Sequence, residues 1–167
     1  MALRTTLAIL AMTTALLPCA ALAEMTVVLG APWDGKVVPA DQICQLRGGN
    51  GSTPPMNLSG LPKGTVRVLV EYNDMSYYSM AFDGGHGALS FPATAPEADL
   101  PSVPAMTAEL PHGALVVSAA RATGRFASSG YLPPCSGGRG HMYAATIKAL
   151  AEDGTVLDAV TLDMGRY

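Results

Sequence analysis

Arg139, His141 and Tyr143 sit at the end of a segment, Gly130 to Tyr143, that also holds Pro133, Pro134, Cys135, Ser136 and four glycines. A stretch this rich in Pro and Gly is a loop, neither helix nor strand. Its glycines permit turns with φ > 0, and successive N–H groups in such turns form concavities that bind anions. His141 and Tyr143 alternate about Met142, so on a strand they project from one face. An imidazole N–H and a phenol O–H projecting together make a clamp for an oxyanion. The plainer alternative is a surface turn stapled by a cysteine, with a hydrogen-bonded structural histidine and a core tyrosine.

Catalytic chemistry finds little support. The chain has no G-x-S-x-G, H-E-x-x-H, P-loop or dinucleotide fingerprint. Ser136, His141 and Asp74 can be assembled into a Ser–His–Asp set, but only geometry would give that set meaning. No enzyme activity and no cofactor are expected. A metal reading stays open: His86, His141 and Asp74 are competent ligands for Zn or Cu. The methionines are scattered, which suits core filling better than a metal cluster.

The elements that must position these residues read as short strands. Met25 to Leu29 is a β-branched run, and Trp33 to Val38 reads as a second strand broken at Asp34-Gly35. Residues 45–64 read as a long loop. Val66 to Tyr72 is the clearest strand, apolar nearly throughout, as a strand covered on both faces would be. Tyr77 to Phe82 and Gly87 to Phe91 read as short strands around Asp83-Gly84-Gly85-His86. Residues 92–113 are proline-rich and read as an irregular excursion. Ala114 to Ala120 reads as strand or helix, and Ala119 to Ala127 as helix formers interrupted by Gly124. Tyr143 to Leu150 and Val156 to Leu162, joined through Asp153-Gly154, read as a hairpin. Many short strands and long loops predict an antiparallel β-sandwich or barrel.

Residues 1–23 read as a secretory signal peptide. Arg4 supplies the charge, Leu7 to Leu17 the apolar run, and Ala21-Leu22-Ala23 the cleavage site. Residues 24–167 then form one domain in a periplasmic or secreted protein, with no later run long enough to span a bilayer. Without Arg4 the ten Lys and Arg become nine against thirteen Asp and Glu, a net charge of −4. That balance argues against nucleic acid as a partner. Cleavage also removes Cys19 and leaves Cys44 and Cys135. In an oxidising compartment such a pair is expected to be a disulfide, the alternative being two metal-ligand thiolates. The bond would tie the loop at Arg47 to Gly51 against the loop at Pro133 to Gly140, at one end of the fold.

The order of several short motifs carries a resemblance. They are Cys44 through Arg47-Gly48-Gly49-Asn50-Gly51 to Pro54-Pro55-Met56, then Leu61-Pro62-Lys63-Gly64-Thr65, the strand ending at Asn73-Asp74, and Gly130-Tyr131 through His141-Met142-Tyr143. In this order they resemble the phosphatidylethanolamine-binding protein family, in its bacterial Raf-kinase-inhibitor-like branch. The resemblance implies an antiparallel β-sandwich with long loops and few short helices. It also implies a small cavity near the surface that binds phosphate, acetate or a phospholipid headgroup. It places the ligand-binding lining at Asp74, His86, Pro134, His141 and Tyr143. A second role it suggests is that of an inhibitor, here with a protein partner in the cell envelope. The chain departs from the family pattern in three places. Met75 and Ser76 replace the proline and second aspartate of an Asp-Pro-Asp motif. The tryptophan that would follow His86 is Gly87. A C-terminal helix with its own histidine is not apparent before Met164-Gly165-Arg166-Tyr167, so the wall it would form is expected to be missing or replaced.

Overall fold

The computed structural model describes residues 24–167, and the signal-peptide reading of residues 1–23 lies outside the described residues. Eight strands follow in chain order: β1 (Thr26–Leu29), β2 (Met56–Ser59), β3 (Arg67–Asp74), β4 (Ala88–Pro92), β5 (Glu97–Leu100), β6 (Leu115–Ser118), β7 (Met142–Leu150) and β8 (Val156–Arg166). They form a three-stranded sheet in the order β1-β2-β5 and a five-stranded sheet in the order β6-β4-β3-β7-β8. Every strand pair is antiparallel. Among the described residues the helical pieces are four single 3-10 turns, and no helix is long and apolar enough to cross a membrane.

β3 runs through the middle of the larger sheet, and its side-chain period explains the packing. Val68, Val70 and Tyr72 point to one face and are buried, while Arg67, Leu69 and Glu71 on the other face are half-buried. Across β7, the partners of the buried row are Ala149, Ile147 and Ala145, all fully buried. Leu89 and Phe91 of β4 extend this apolar layer, and Met56, Leu58 and Leu100 of the smaller sheet close over it. Fully burying a side chain such as Ile147 contributes roughly 1.5–3 kcal/mol. The outer face is polar where β3 meets β7: Lys148 Nζ donates to Glu71 at 2.7 Å.

Several expectations need correction. β3 is covered on one face, not two; its outer row carries Arg67, whose guanidinium donates to the Ser90 hydroxyl and carbonyl. Trp33 to Val38 is not a strand. Asp34 Oδ1 accepts the N–H groups of Lys36 and Val37 at 2.9 and 3.1 Å, turning the chain locally, and only Val37 makes an isolated bridge, to Arg166. The segment read as one long loop, residues 45–64, contains β2. The proline-rich excursion contains β5, bounded by Pro96 and Pro101. Prolines flank a strand without breaking it when the strand lies at a sheet edge, as β5 does. Tyr77 to Phe82 folds into a 3-10 turn at Tyr78–Met80, and the helix formers after Ala119 yield only Gly124–Phe126.

Candidate functional site

The site lies where the core rows run out. Val68, Val70 and Tyr72 continue along β3 to Asp74, and Ala149, Ile147 and Ala145 continue along β7 to Tyr143. Asp74 and Tyr143 are direct cross-strand partners, so their side chains share the core-side face. His141 follows two residues further on. Its Nδ1 lies 2.7 Å from Asp74 Oδ2. A carboxylate can only accept there, so Nδ1 carries the hydrogen and Nε2 is the ring's remaining polar atom. Asp74 Oδ1 accepts the Ser76 N–H at 2.9 Å, and Ser76 Oγ accepts the Met142 N–H at 3.0 Å. Ser76, standing where the family pattern has a second aspartate, therefore pins the start of β7 to the turn after β3.

His86 enters from the loop before β4. Its N–H donates to the Tyr72 carbonyl and its carbonyl accepts the Leu132 N–H, both at 2.8 Å. Its Nδ1 lies 2.8 Å from the Leu132 carbonyl, so Nδ1–H is the donor and Nε2 is again the free ring atom. Burial holds the ring's pKa below its ordinary value, with the Leu132 hydrogen bond and the Asp74 charge opposing. The imidazole is therefore neutral, and Nε2 offers a lone pair. Gly87 makes this turn possible: its φ is +107°, and a Cβ there would lie 2.8 Å from the Gly130 carbonyl. The rings of His86 and Tyr143 meet edge to face, with centroids 5.3 Å apart.

Tyr143 is 2% exposed, and its hydroxyl oxygen accepts the N–H groups of Cys135 and Ser136 at 3.1 Å each. Burial raises its pKa, with hydrogen bonding to Ser136 working the other way, so the phenol keeps its proton. With both lone pairs occupied, the O–H is the function left to donate. The disulfide Cys44–Cys135, with Cα atoms 5.3 Å apart, joins the two loops that flank this point. Cys44 N–H also donates to the Pro134 carbonyl at 3.0 Å.

Asp74, His86, His141 and Tyr143 line one cavity of about 620 Å³. Pro134 does not line it. Pro134 is buried behind the wall, and Cys135 and Ser136 face the cavity in its place. Ser136 Oγ donates to the Tyr167 carbonyl at 2.6 Å, and among the described residues no hydrogen bond joins it to His141. The Ser–His–Asp set is therefore not assembled. Tyr167 N–H donates to the His141 carbonyl at 3.0 Å, so the end of β8 braces the segment that carries the histidine. Among the described residues no three His, Cys, Asp or Glu side chains gather in a group fit to hold a metal ion.

Four arginines also border the cavity: Arg47, Arg121, Arg125 and Arg139. Of these, Arg139 stands in the Gly130 to Tyr143 segment, and the Cys44–Cys135 bond carries the Arg47 loop toward it. Nothing in the order of residues points to Arg121 and Arg125, which arrive on the loop after β6.

The architecture has solved counterparts. A homologue of the phosphatidylethanolamine-binding proteins from Chlamydia trachomatis superposes with a TM-score of 0.57 at 20% identity, covering 86% of this chain and 97% of that one. The fold is that of the phosphatidylethanolamine-binding proteins. YbcL from E. coli, described as a member of the mammalian family of that name, superposes with a TM-score of 0.51 at 24% identity over 81% of this chain and 82% of its own. No protein-family profile and no curated protein sequence matches the chain. The phosphatidylethanolamine-binding-protein fold thus rests on three-dimensional likeness.

Proposed function

We propose that this chain is a binding protein that holds a small oxyanion, a phosphate or phosphorylated headgroup, in the cavity at the end of the sandwich. One observation carries the reading: His86, His141 and the Tyr143 hydroxyl converge on one pocket whose single carboxylate, Asp74, is already engaged by His141. Asp74 would repel an anion if it stood alone. Bound to Nδ1–H, it orients the His141 ring. The name of the proteins that share this fold, which refers to a lipid with a phosphorylated headgroup, agrees with the same ligand chemistry.

His86 gives the reading a pH signature. Its neutral Nε2 meets an anion with a lone pair, so binding requires that the ligand bring a proton or that the ring take one up. Both make binding stronger at lower pH. Calorimetric titration with phosphate and phosphoethanolamine at pH 6 and pH 8 is the test, on wild type and His141→Ala. Affinity is expected to fall from pH 6 to pH 8. His141→Ala should weaken binding about ten- to a hundredfold, the worth of a charge-assisted hydrogen bond. Equal affinities in the two proteins would remove the assignment.

The proposal includes export to the periplasm or exterior. It is supported by the charge, apolar run and small-residue site of residues 1–23 and by the Cys44–Cys135 bond. The intact mass of the exported protein should correspond to a chain beginning at Glu24; a mass retaining the leader would contradict it.

A further inference from the structure

The cavity is larger than one oxyanion needs. It measures about 620 Å³ and opens to solvent, whereas a phosphate is a handful of heavy atoms. Its polar groups fall into two tiers. His86, Tyr143 and Asp74 are buried and His141 is half-buried, and these four form the floor. Arg47, Arg121, Arg125 and Arg139 are exposed and form the mouth.

The mouth concentrates charge against the trend of the chain. Four of the nine Lys and Arg outside residues 1–23 border this one cavity, in a polypeptide with an excess of carboxylates. Among the described residues the ion pairs are His141–Asp74 and Lys148–Glu71, so none of the four arginines has a carboxylate partner. Residues 1–23 contain no Asp or Glu that would supply one. Arg121 stacks on Phe82 and donates to its carbonyl, and Arg125 lies over Phe126. These contacts position the guanidinium groups without neutralising them. Arg47 lies over Gly137, where a Cβ would come within 2.9 Å of its Cζ. The Cys44–Cys135 bond holds the Arg47 loop and the Arg139 loop together. The cationic mouth is thus a built feature shared by three loops.

We propose that the natural ligand carries two linked anionic groups of the diphosphate class, one on the His86–His141–Tyr143 floor and one at the arginine mouth. The inference rests on the anion-binding reading above and extends it. Arginine forks match phosphate oxygens in bidentate geometry, so two or more unpaired guanidinium groups suit a second phosphate. Because the arginines are exposed, their contribution is screened over a Debye length of about 8 Å at physiological salt, while the buried floor is screened less. The preference for a diphosphate over a monophosphate is therefore a salt-dependent quantity.

The test is calorimetric titration of the disulfide-bonded protein with inorganic phosphate, inorganic pyrophosphate and ADP, at low and at high NaCl. It is run on wild type and on Arg125→Gln/Arg139→Gln, whose exposed side chains can change without disturbing the core. Pyrophosphate should bind at least about tenfold tighter than phosphate at low salt, the gain from one further charge-assisted contact. That advantage should shrink at high salt and in the double variant. ADP binding as tightly as pyrophosphate assigns a diphosphate ester, and weaker ADP binding assigns the inorganic ion; both support the proposal. Equal affinities for phosphate and pyrophosphate in wild type would overturn it and leave the single-anion reading standing. Failure of all three to bind would overturn both.

Discussion

Tyr143→Phe removes one oxygen and leaves the ring. That oxygen is the shared acceptor for the Cys135 and Ser136 N–H groups, at 3.1 Å each. Phenylalanine keeps the buried packing and the edge-to-face contact with His86, so the loss is one of hydrogen bonding and not of a cavity. A buried donor left without a partner costs about 1–3 kcal/mol. The cavity admits water on one side, which places each N–H at the low end, and the two together at roughly 2 kcal/mol. For a domain of this size that corresponds to a melting temperature lower by about 4–8 °C. Ligand affinity should fall as well, because the O–H is the part of the phenol not already used. Thermal unfolding and phosphate titration on the same preparation separate the two effects. An unchanged melting temperature would mean that water replaces the hydroxyl at no cost, and the argument from the two N–H groups would fail. An unchanged affinity with a lowered melting temperature would make Tyr143 a positioning residue for the loop and remove it from the ligand's contacts.

Two further outcomes follow from the same geometry. Cys44→Ser/Cys135→Ser opens a link that spans 91 residues, worth about 4–5 kcal/mol in the chain-entropy model, and should lower both the urea midpoint and anion affinity; a variant as stable and as tight-binding as wild type would show that the loops need no staple. His86 is neutral in the fold with its pKa held below the ordinary 6.5. The unfolded ring therefore takes up a proton that the folded ring refuses, so the stabilisation is complete above 6.5 and is lost as pH falls toward the folded value. Urea midpoints measured from pH 8 to pH 5 should fall with acid, and His86→Gln should flatten that part of the profile; parallel profiles would assign the acid sensitivity to other groups.

The strands that the sequence showed clearly are those with an unbroken apolar row. β3 and β7 each carry a buried residue at every second position, and the pairing of β7 with β8 follows from the Asp153-Gly154 turn. β2 and β5 were hidden because each has only four residues, with prolines close by, and half of β2 is exposed. Their strand conformation is imposed by the pairing of Met56 with Leu100 and Leu58 with Ala98, a long-range contact that no local pattern announces. Tyr77 to Phe82 failed in the opposite sense. Its aromatic residues suit a strand, yet Tyr77, Tyr78 and Phe82 are exposed and the backbone closes a tight turn instead.

The floor of the site was legible for a related reason. His141 and Tyr143 lie on the strand that the Pro/Gly loop feeds, so their shared face is a matter of period. Asp74 joins them through the β3–β7 register. His86 needed three hydrogen bonds to Tyr72 and Leu132 before its place was fixed, and none of them has a signature in the order of residues. The arginines were less legible still. A net charge of −4 for residues 24–167 gives no electrostatic reason to expect broad anionic partners. It says nothing about one cavity. A few guanidinium groups on three loops, one pair of them drawn together by Cys44 and Cys135, make a cationic mouth on an acidic protein. Net charge sets the long-range field, which falls away beyond a Debye length, whereas the guanidinium groups at the mouth act at contact range.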